Sequence, residues 1–422
     1  MRVVMLGVHA EALEPLVARG HEVTVLFEPA ERDRVSAVRE KSAQVHQVES
    51  YTDVDGLLAA LEEIGARARG VEAVVTLKEF AVVPAALLGA VLGARALNPK
   101  VALRCRDKAL QKTAWRQAGL ATAKWVVVPA GAARAEEAVA VVRAQGLRAP
   151  FIVKPIASAG TVGVRAAADE AGLVTAVREI EGERPSGGRL LVEERNEGEE
   201  WHFDGFVRDG RVDEDAVLVS RYLTPLIETR NGSPTASASF HPAAEPDLYK
   251  EAAALATEAS RALGLDNGAF HFEVFGEPGS FVAGELAARP GGGWVRRAVK
   301  AGIGVDLAAA AVGAVTGDRV EVGEVSDDVF GWAYLQTVAG STNHVRPEDV
   351  LEVPGVAAVE MSVVPGAPMP DMRTSSTTGI GIVLARGEDH AACAAVLRAA
   401  NDAVVRINGV PGGDVQPDSG RR

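Results

Sequence analysis

Apolar and polar positions along the first hundred residues switch between two spacings. Residues 2–6, 22–27 and 73–77 are short apolar runs that read as strands. Between and after them, residues 10–19, 53–66 and 81–92 carry apolar positions at helical spacing, with Gly20 and Gly93 standing where two of these helices stop. Strand alternating with helix predicts a small parallel α/β unit. The first strand–helix turn holds only Gly7, so the glycine fingerprint of a dinucleotide site is absent and nicotinamide chemistry is not expected. Asn98 and Pro99 mark a boundary, after which Asp107 is placed to cap a helix that runs to Gln117 and stops at Gly119. An αβ stretch to about Gly188 follows, then a β-rich stretch over 190–288 and a final α/β lobe. Residues 411–422 have nothing to bury and are expected to be disordered. No internal repeat is visible.

The segment 270–293 says most about chemistry. Two apolar runs alternate around Gly276, Glu277, Pro278, Gly279 and Ser280, the pattern of a hairpin with a short loop. Side chains two apart share a face of a strand, so His271 groups with Glu273, and Glu285 groups with Ala287 and Arg289. Pairing Phe275 with Phe281 sets Glu273 opposite Ala283 and Glu285 opposite His271, which makes the two carboxylates diagonal neighbours. Acids on an otherwise apolar hairpin need neutralising. Their oxygens favour magnesium, which binds through one or two carboxylates plus substrate phosphates. A solvated acidic hairpin is the competing reading.

Three further constellations accompany the hairpin. In residues 150–155 a lysine, Lys154, interrupts a short apolar strand that Pro155 ends. The loop after it holds Ser158, Gly160, Thr161 and Gly163, residues that let backbone N–H groups turn toward an anion, before a strand over 164–168 returns. It is not a Walker A loop, because no Gly-Lys-Ser/Thr opens a helix. A lysine snorkelling from a strand end is the alternative. The second constellation passes from the apolar strand 190–192 through Glu193, Glu194, Arg195 and Asn196 to a strand with Glu200, His202 and Asp204 on one face. Such a linker can offer backbone groups to a purine edge and a carboxylate to ribose hydroxyls, although an acidic run by itself reads as a solvated loop. The third is Lys108 at the start of its helix, which alone reads as a surface lysine.

Composition narrows the setting. The 422 residues are 47% hydrophobic and 24% charged, enough for a large core and long for one domain. A formal net charge of −13 argues against nucleic-acid binding, which wants basic stripes. No apolar stretch is long enough to span a bilayer, and the N-terminus lacks a signal-peptide pattern. Cys105 and Cys393 make neither a zinc motif nor a disulfide framework. A cytoplasmic protein without membrane partners is the expectation.

The order of these features, more than any one of them, resembles the ATP-grasp superfamily and within it the carboxylate–amine ligases, including the L-amino acid (dipeptide) ligases. The resemblance covers about residues 1–410. It implies an α/β ATP-grasp fold with a parallel α/β domain over 1–100 and a linker helix with a small lobe over 101–189. A large lobe carrying the hairpin would span 190–330, and a C-terminal α/β lobe 331–410. By this resemblance Lys108 and Lys154 contact ATP phosphates, and the loop of Ser158, Gly160, Thr161 and Gly163 closes over them. Glu193, Glu194, Arg195 and Asn196 form the adenine hinge, with Glu200 on the ribose. Glu273 and Glu285 hold magnesium, for which manganese can substitute. Arg289 and Lys154 are the catalytic candidates, and His271, Arg289 and Gly292 face the substrates. The implied reaction activates a carboxylate with ATP as an acyl phosphate and joins it to an amine, releasing ADP and phosphate. Small-molecule carboxylates and amines, amino acids foremost, are the implied partners, and a homodimer is left open.

One departure stands out. Many members of the superfamily read Glu-x-Asn at the second metal position, whereas this chain reads Glu285-Leu286-Ala287, and Ala287 offers no ligand. A biotin-carboxylase-like or purine-pathway enzyme of the same fold is the alternative. A nucleotide-binding regulator without turnover is the alternative from another class, motivated by Ala287 alone.

Overall fold

Four short strands, β1 (Arg2–Leu6), β2 (Glu22–Phe27), β3 (Gln44–Gln47) and β4 (Ala73–Thr76), pair in parallel in the order β3-β2-β1-β4. The computed structural model describes residues 1–66, 69–129, 134–183 and 188–409, so the expectation for 411–422 lies outside the described residues. Alternate side chains of β1 and β2 bury in opposite directions, as a sheet covered on both faces requires. Val3, Met5, Val23 and Val25 meet Leu13 and Leu16 of α1 (Ala10–Ala18). After the single turn α2 (Ser36–Arg39), α3 (Val54–Glu63) and α4 (Val82–Leu92) cover Val4, Leu6 and Leu26 on the other face. Asp53 is the cap of α3, accepting from the Gly56 N–H, rather than its first turn. β3 was not expected, because Gln-Val-His-Gln is half-buried throughout and has no apolar run.

Past α5 (Pro99–Arg104), α6 (Lys108–Ala118) begins on Asp107, whose carboxylate accepts from the Ala109 and Leu110 N–H groups. A small antiparallel sheet follows, in the order β5-β8-β6-β7, from β5 (Trp125–Pro129), β6 (Phe151–Pro155), β7 (Arg165–Ala167) and β8 (Arg189–Glu194). Val126, Val128, Phe151, Val153, Leu190 and Val192 turn to α7 (Ala135–Ala144) and α8 (Glu170–Glu183). The alternate positions, which include Lys154 and Glu193, therefore face the other way.

The remaining strands form one sheet of eight, in the order β13-β12-β9-β10-β11-β14-β16-β15. They are β9 (Glu200–Val207), β10 (Val217–Tyr222), β11 (Ala236–Ser239), β12 (Gly268–Phe275), β13 (Val282–Ala287), β14 (Val329–Tyr334), β15 (Val356–Met361) and β16 (Gly381–Gly387). On one face Trp201, Phe203, Phe270 and Phe272 pack on α9 (Pro246–Leu263). On the other, α10 (Val295–Ile303) and α11 (Leu307–Thr316) cover Phe206, Leu218, Ala269 and Trp332. Glu200, His202, Asp204, His271 and Glu273 lie on that second face by alternation, beyond the helices' reach. α12 (Pro347–Leu351) and α13 (His390–Ile407) close the C-terminal end.

Two boundaries change. β8 sits in the middle of the small sheet, so that lobe reaches residue 194 rather than 189. The stretch 331–410 is no separate layer either: β14 pairs with β11 and carries the large sheet on into β16 and β15. Among the described residues no single helix is long and apolar enough to cross a membrane.

Candidate functional site

A cavity of about 250 Å³ lies where the small sheet, the hairpin of β12 and β13, and loops from every other part of the chain meet. The hairpin supplies its acidic wall, in a register different from the expected one. Glu273 pairs directly with Glu285 and His271 with Ala287, while the loop closes on Phe275 and Val282. A β-bulge between Glu273 and Val274 is the cause, since Gly284 is an extra residue on the second strand. Sequence alternation cannot see such an insertion. Only glycine fits there, because a Cβ on Gly284 would lie 2.7 Å from the Phe275 ring and 2.9 Å from the Glu273 carbonyl oxygen. The result brings the two carboxylates face to face.

Helix α6 brings the first cations. Lys108, Gln111, Lys112 and Trp115 lie on its buried face. Gln111 docks the helix onto the exposed backbone of edge strand β13, donating to the Leu286 carbonyl at 2.6 Å and accepting from the Leu286 N–H at 3.0 Å. Lys108 Nζ is thereby held 2.9 Å from Glu285 and 3.1 Å from the Ser158 carbonyl. It is a buried lysine, not a surface one. Lys112, one turn further on, reaches Glu193 at 3.0 Å, and Lys154 reaches the same carboxylate at 2.5 Å. Burial opposes ionisation of Glu193 most strongly, but the two ammonium groups together outweigh it and hold the carboxyl down at about 2. Lys154, its side chain 12% exposed, is paired with Glu193 rather than snorkelling. The side chain of Glu193 thus serves the lysines, and the acidic run it opens is no solvated loop at either end, since Glu200 is buried too. Glu194, Arg195 and Asn196 line the cavity beside it.

The loop after β6 is tied on both sides. Gly163 has φ +74°, and a Cβ there would lie 2.9 Å from the Pro155 ring. Ser375 and Ser376 reach across from the C-terminal stretch. The Ser376 N–H donates to the Gly160 carbonyl at 3.1 Å and to Thr161 Oγ1 at 3.2 Å, and the Ser375 hydroxyl donates to the same carbonyl at 3.1 Å. Thr235 anchors this latch by donating to the Ser376 carbonyl at 2.7 Å.

Arg289 is fixed by Glu79, which follows β4 and also pairs with Arg106. Burial disfavours the Glu79 charge, yet Arg289 and Arg106 keep it ionised. Behind the hairpin, Asp204 accepts from His271 Nδ1 at 2.8 Å and is bonded to His202 Nδ1 at 2.5 Å. His202 Nε2 in turn meets the Ser237 hydroxyl at 2.5 Å. His271 Nε2 lies 3.4 Å from Glu273, so both its ring nitrogens are engaged and neither is left to take a proton from a substrate. Burial would lower the imidazole, but the Asp204 charge prevails and raises it to about 10. Glu200 accepts from the Leu226 N–H at 2.7 Å. Burial and then the Glu273 charge push it up to about 8.

All the residues expected from the sequence to bind nucleotide, metal or substrate except Gly163 line this one cavity, with Ala287 and Gly292 in its wall and Gly163 setting the turn beneath. The sequence reading missed Lys112, Glu79, Arg106 and the Ser375–Ser376 latch. Lys112 carried a usable signal, four residues after Lys108 on one helix face. Glu79 and the latch come from distant segments and carried none, and Arg106, just ahead of the Asp107 cap, stands outside the helical pattern.

The chain matches the ATP-grasp domain family over residues 147–297. It is 24% identical over 267 residues to an L-arginine-specific L-amino acid ligase of Bacillus subtilis, the alignment covering 62% of either chain, so the match spans less than two thirds of that relative. An L-amino acid ligase from Bacillus licheniformis has a similar structure, with a TM-score of 0.73 at 18% identity over 95% of this chain and 97% of that one. So has the biotin carboxylase domain of Hydrogenobacter thermophilus 2-oxoglutarate carboxylase, solved with MgADP, ADP and bicarbonate, with a TM-score of 0.68 at 16% identity over 94% and 89%.

Proposed function

We propose that this chain is an ATP-grasp enzyme, an ATP-dependent carboxylate–amine ligase that joins amino acids or closely related acids and amines. The observation that carries the reading is the direct pairing of Glu273 with Glu285 on a cavity wall shared with Lys108, Lys154 and Arg289. Two carboxylates set face to face repel unless a cation lies between them. Their oxygen donors suit magnesium, and Lys108 and His271 already flank them with positive charge. Glu273 and Glu285 would hold the ion, with Ala287 leaving one ligand position to water. Bound there, magnesium neutralises phosphate oxygens during transfer.

The chain's own residues supply the rest. A carboxylate does not acylate an amine at neutral pH, so it must first gain a leaving group. Phosphoryl transfer from ATP to a carboxylate oxygen is mostly a matter of positioning and charge neutralisation. Lys154 and Lys108 meet the phosphate oxygens, and Lys112 keeps Glu193 ionised so that Lys154 stays charged and in place. Arg289, aimed by Glu79, faces the transferred phosphoryl group and then the acyl oxygen under attack. The latched loop of Gly160 and Thr161 covers the phosphates and keeps water from the acyl phosphate. Attack by the amine expels phosphate and leaves an amide.

A panel of carboxylate-plus-amine pairs, read by phosphate release, tests the reading. Release that needs both an amino acid and an amine supports it. Release that needs bicarbonate, or a nucleotide acceptor, would instead place the chain with the carboxylating enzymes of the same fold. Magnesium-dependent ATP binding with no release for any pair would mark a regulator.

A further inference from the structure

Resting on the ligase reading, we propose that one of the two substrates is an amino acid with an apolar, preferably aromatic, side chain, seated in an aromatic recess formed by Tyr222, Val295, Trp332 and Tyr334. These side chains line the same cavity as the catalytic groups. β14 supplies two of them, because residues 332 and 334 share a face, and their rings meet edge to face with centroids 5.7 Å apart. Trp332 packs tightly against the loop that follows Arg289: a Cβ on Gly293 would stand 2.6 Å from its ring. Tyr222 packs against His202 with ring centroids 4.6 Å apart and the planes tilted by 41°, and joins the recess to the acidic wall. The recess is therefore continuous with the place where the acyl group reacts.

Charge sets the class of side chain. None of the four lining residues is ionisable near neutral pH, burial raising the Tyr334 phenol to about 12 and Tyr222 well above its ordinary range. The cavity's carboxylates are engaged elsewhere. Glu79 is paired with Arg106 and Arg289, Glu193 with Lys112 and Lys154, Glu285 with Lys108, and Glu273 with His271. Glu194 and Glu200 accept from the Arg148 and Leu226 N–H groups. Among the described residues that line the cavity each acid therefore already has a partner, and the four side chains of the recess include neither an acid nor a cation. Burying an unpaired charge against such walls is unfavourable, whereas a flat apolar group gains from them. The arginine specificity of the Bacillus subtilis relative is accordingly not expected here.

The test offers phenylalanine, leucine, arginine and glutamate, each with one common set of amines and carboxylates at saturating MgATP. Phenylalanine should exceed arginine and glutamate in kcat/KM by roughly tenfold or more. Tyr334→Ala should raise the KM for phenylalanine several-fold with the KM for ATP unchanged. Tyr334→Glu should admit arginine. Equal or better use of arginine or glutamate by the unaltered protein overturns the recess and leaves the ligase reading standing. Thermal shifts with a non-hydrolysable ATP analogue and magnesium separate the two ideas without turnover. If no pair releases phosphate, the ligase reading fails, and a larger shift with phenylalanine than with arginine still supports the recess; no such difference overturns it.

Discussion

In the proposed reaction the chemistry turns on Glu285 and Glu273. Replacing either by glutamine keeps its size and a hydrogen-bonding oxygen but removes the charge that would hold a divalent cation. We expect Glu285→Gln and Glu273→Gln each to lower kcat by roughly a hundredfold or more with nucleotide affinity largely kept. The double variant should be little worse than either single one, since both act through one ion cluster. Near-normal turnover of Glu285→Gln at saturating magnesium would remove it from the metal site. Glu193 has the opposite character, a structural charge. Glu193→Gln leaves Lys112 and Lys154 buried without their counter-charge, which should cost about 3 kcal/mol or more in denaturant unfolding. Because its carboxyl is depressed to about 2 from an ordinary 4.5, the stabilisation is fully present above pH 4.5 and lost as pH falls toward 2. The stability gap between the two proteins should therefore narrow across that window. A gap independent of pH would show that charge is not what Glu193 supplies.

Between elements, the decisive contact is the latch of Ser375 and Ser376 on the loop after β6. Removing the Ser375 hydroxyl and the Thr161 acceptor together, in Ser375→Ala with Thr161→Val, should loosen the loop without touching the metal cluster. We expect the KM for ATP to rise several-fold and phosphate release to outrun amide formation, as water reaches the acyl phosphate. Tight coupling in the double variant would show that the loop closes without help from the C-terminal stretch. This latch was invisible in the sequence because its partners are separated by 215 residues and are small hydroxyl side chains with no pattern of their own. Local elements were far more legible. The strand over 22–27 and the helix capped by Asp107 stand where alternation and capping chemistry place them. The hairpin was legible as a hairpin, but its register was not. One bulged residue, Gly284, moves Glu285 from opposite His271 to opposite Glu273.

For the whole molecule, the paired charges do more than line a cavity. Glu79 leaves the parallel sheet of the N-terminal unit and holds Arg289 at the end of the acidic hairpin, while Lys108 ties the linker helix to Glu285. Small lobe, large sheet and N-terminal unit therefore meet through the groups proposed to handle phosphate. The order of motifs along the chain conveyed this assembly, but not how the lobes join. No local signal says that β14 continues the sheet begun at β9, because sheet membership is set by pairing across long loops. In the proposed reaction an amino-acid carboxylate is phosphorylated before an amine attacks it. Oxygen-18 in the carboxylate tests this directly, because the oxygen that bridges to phosphorus leaves with the phosphate. With labelled amino acid, unlabelled amine and MgATP, each phosphate released should carry one labelled oxygen, with an equal amount of amide formed. Phosphate released without label, while amide accumulates, would contradict it.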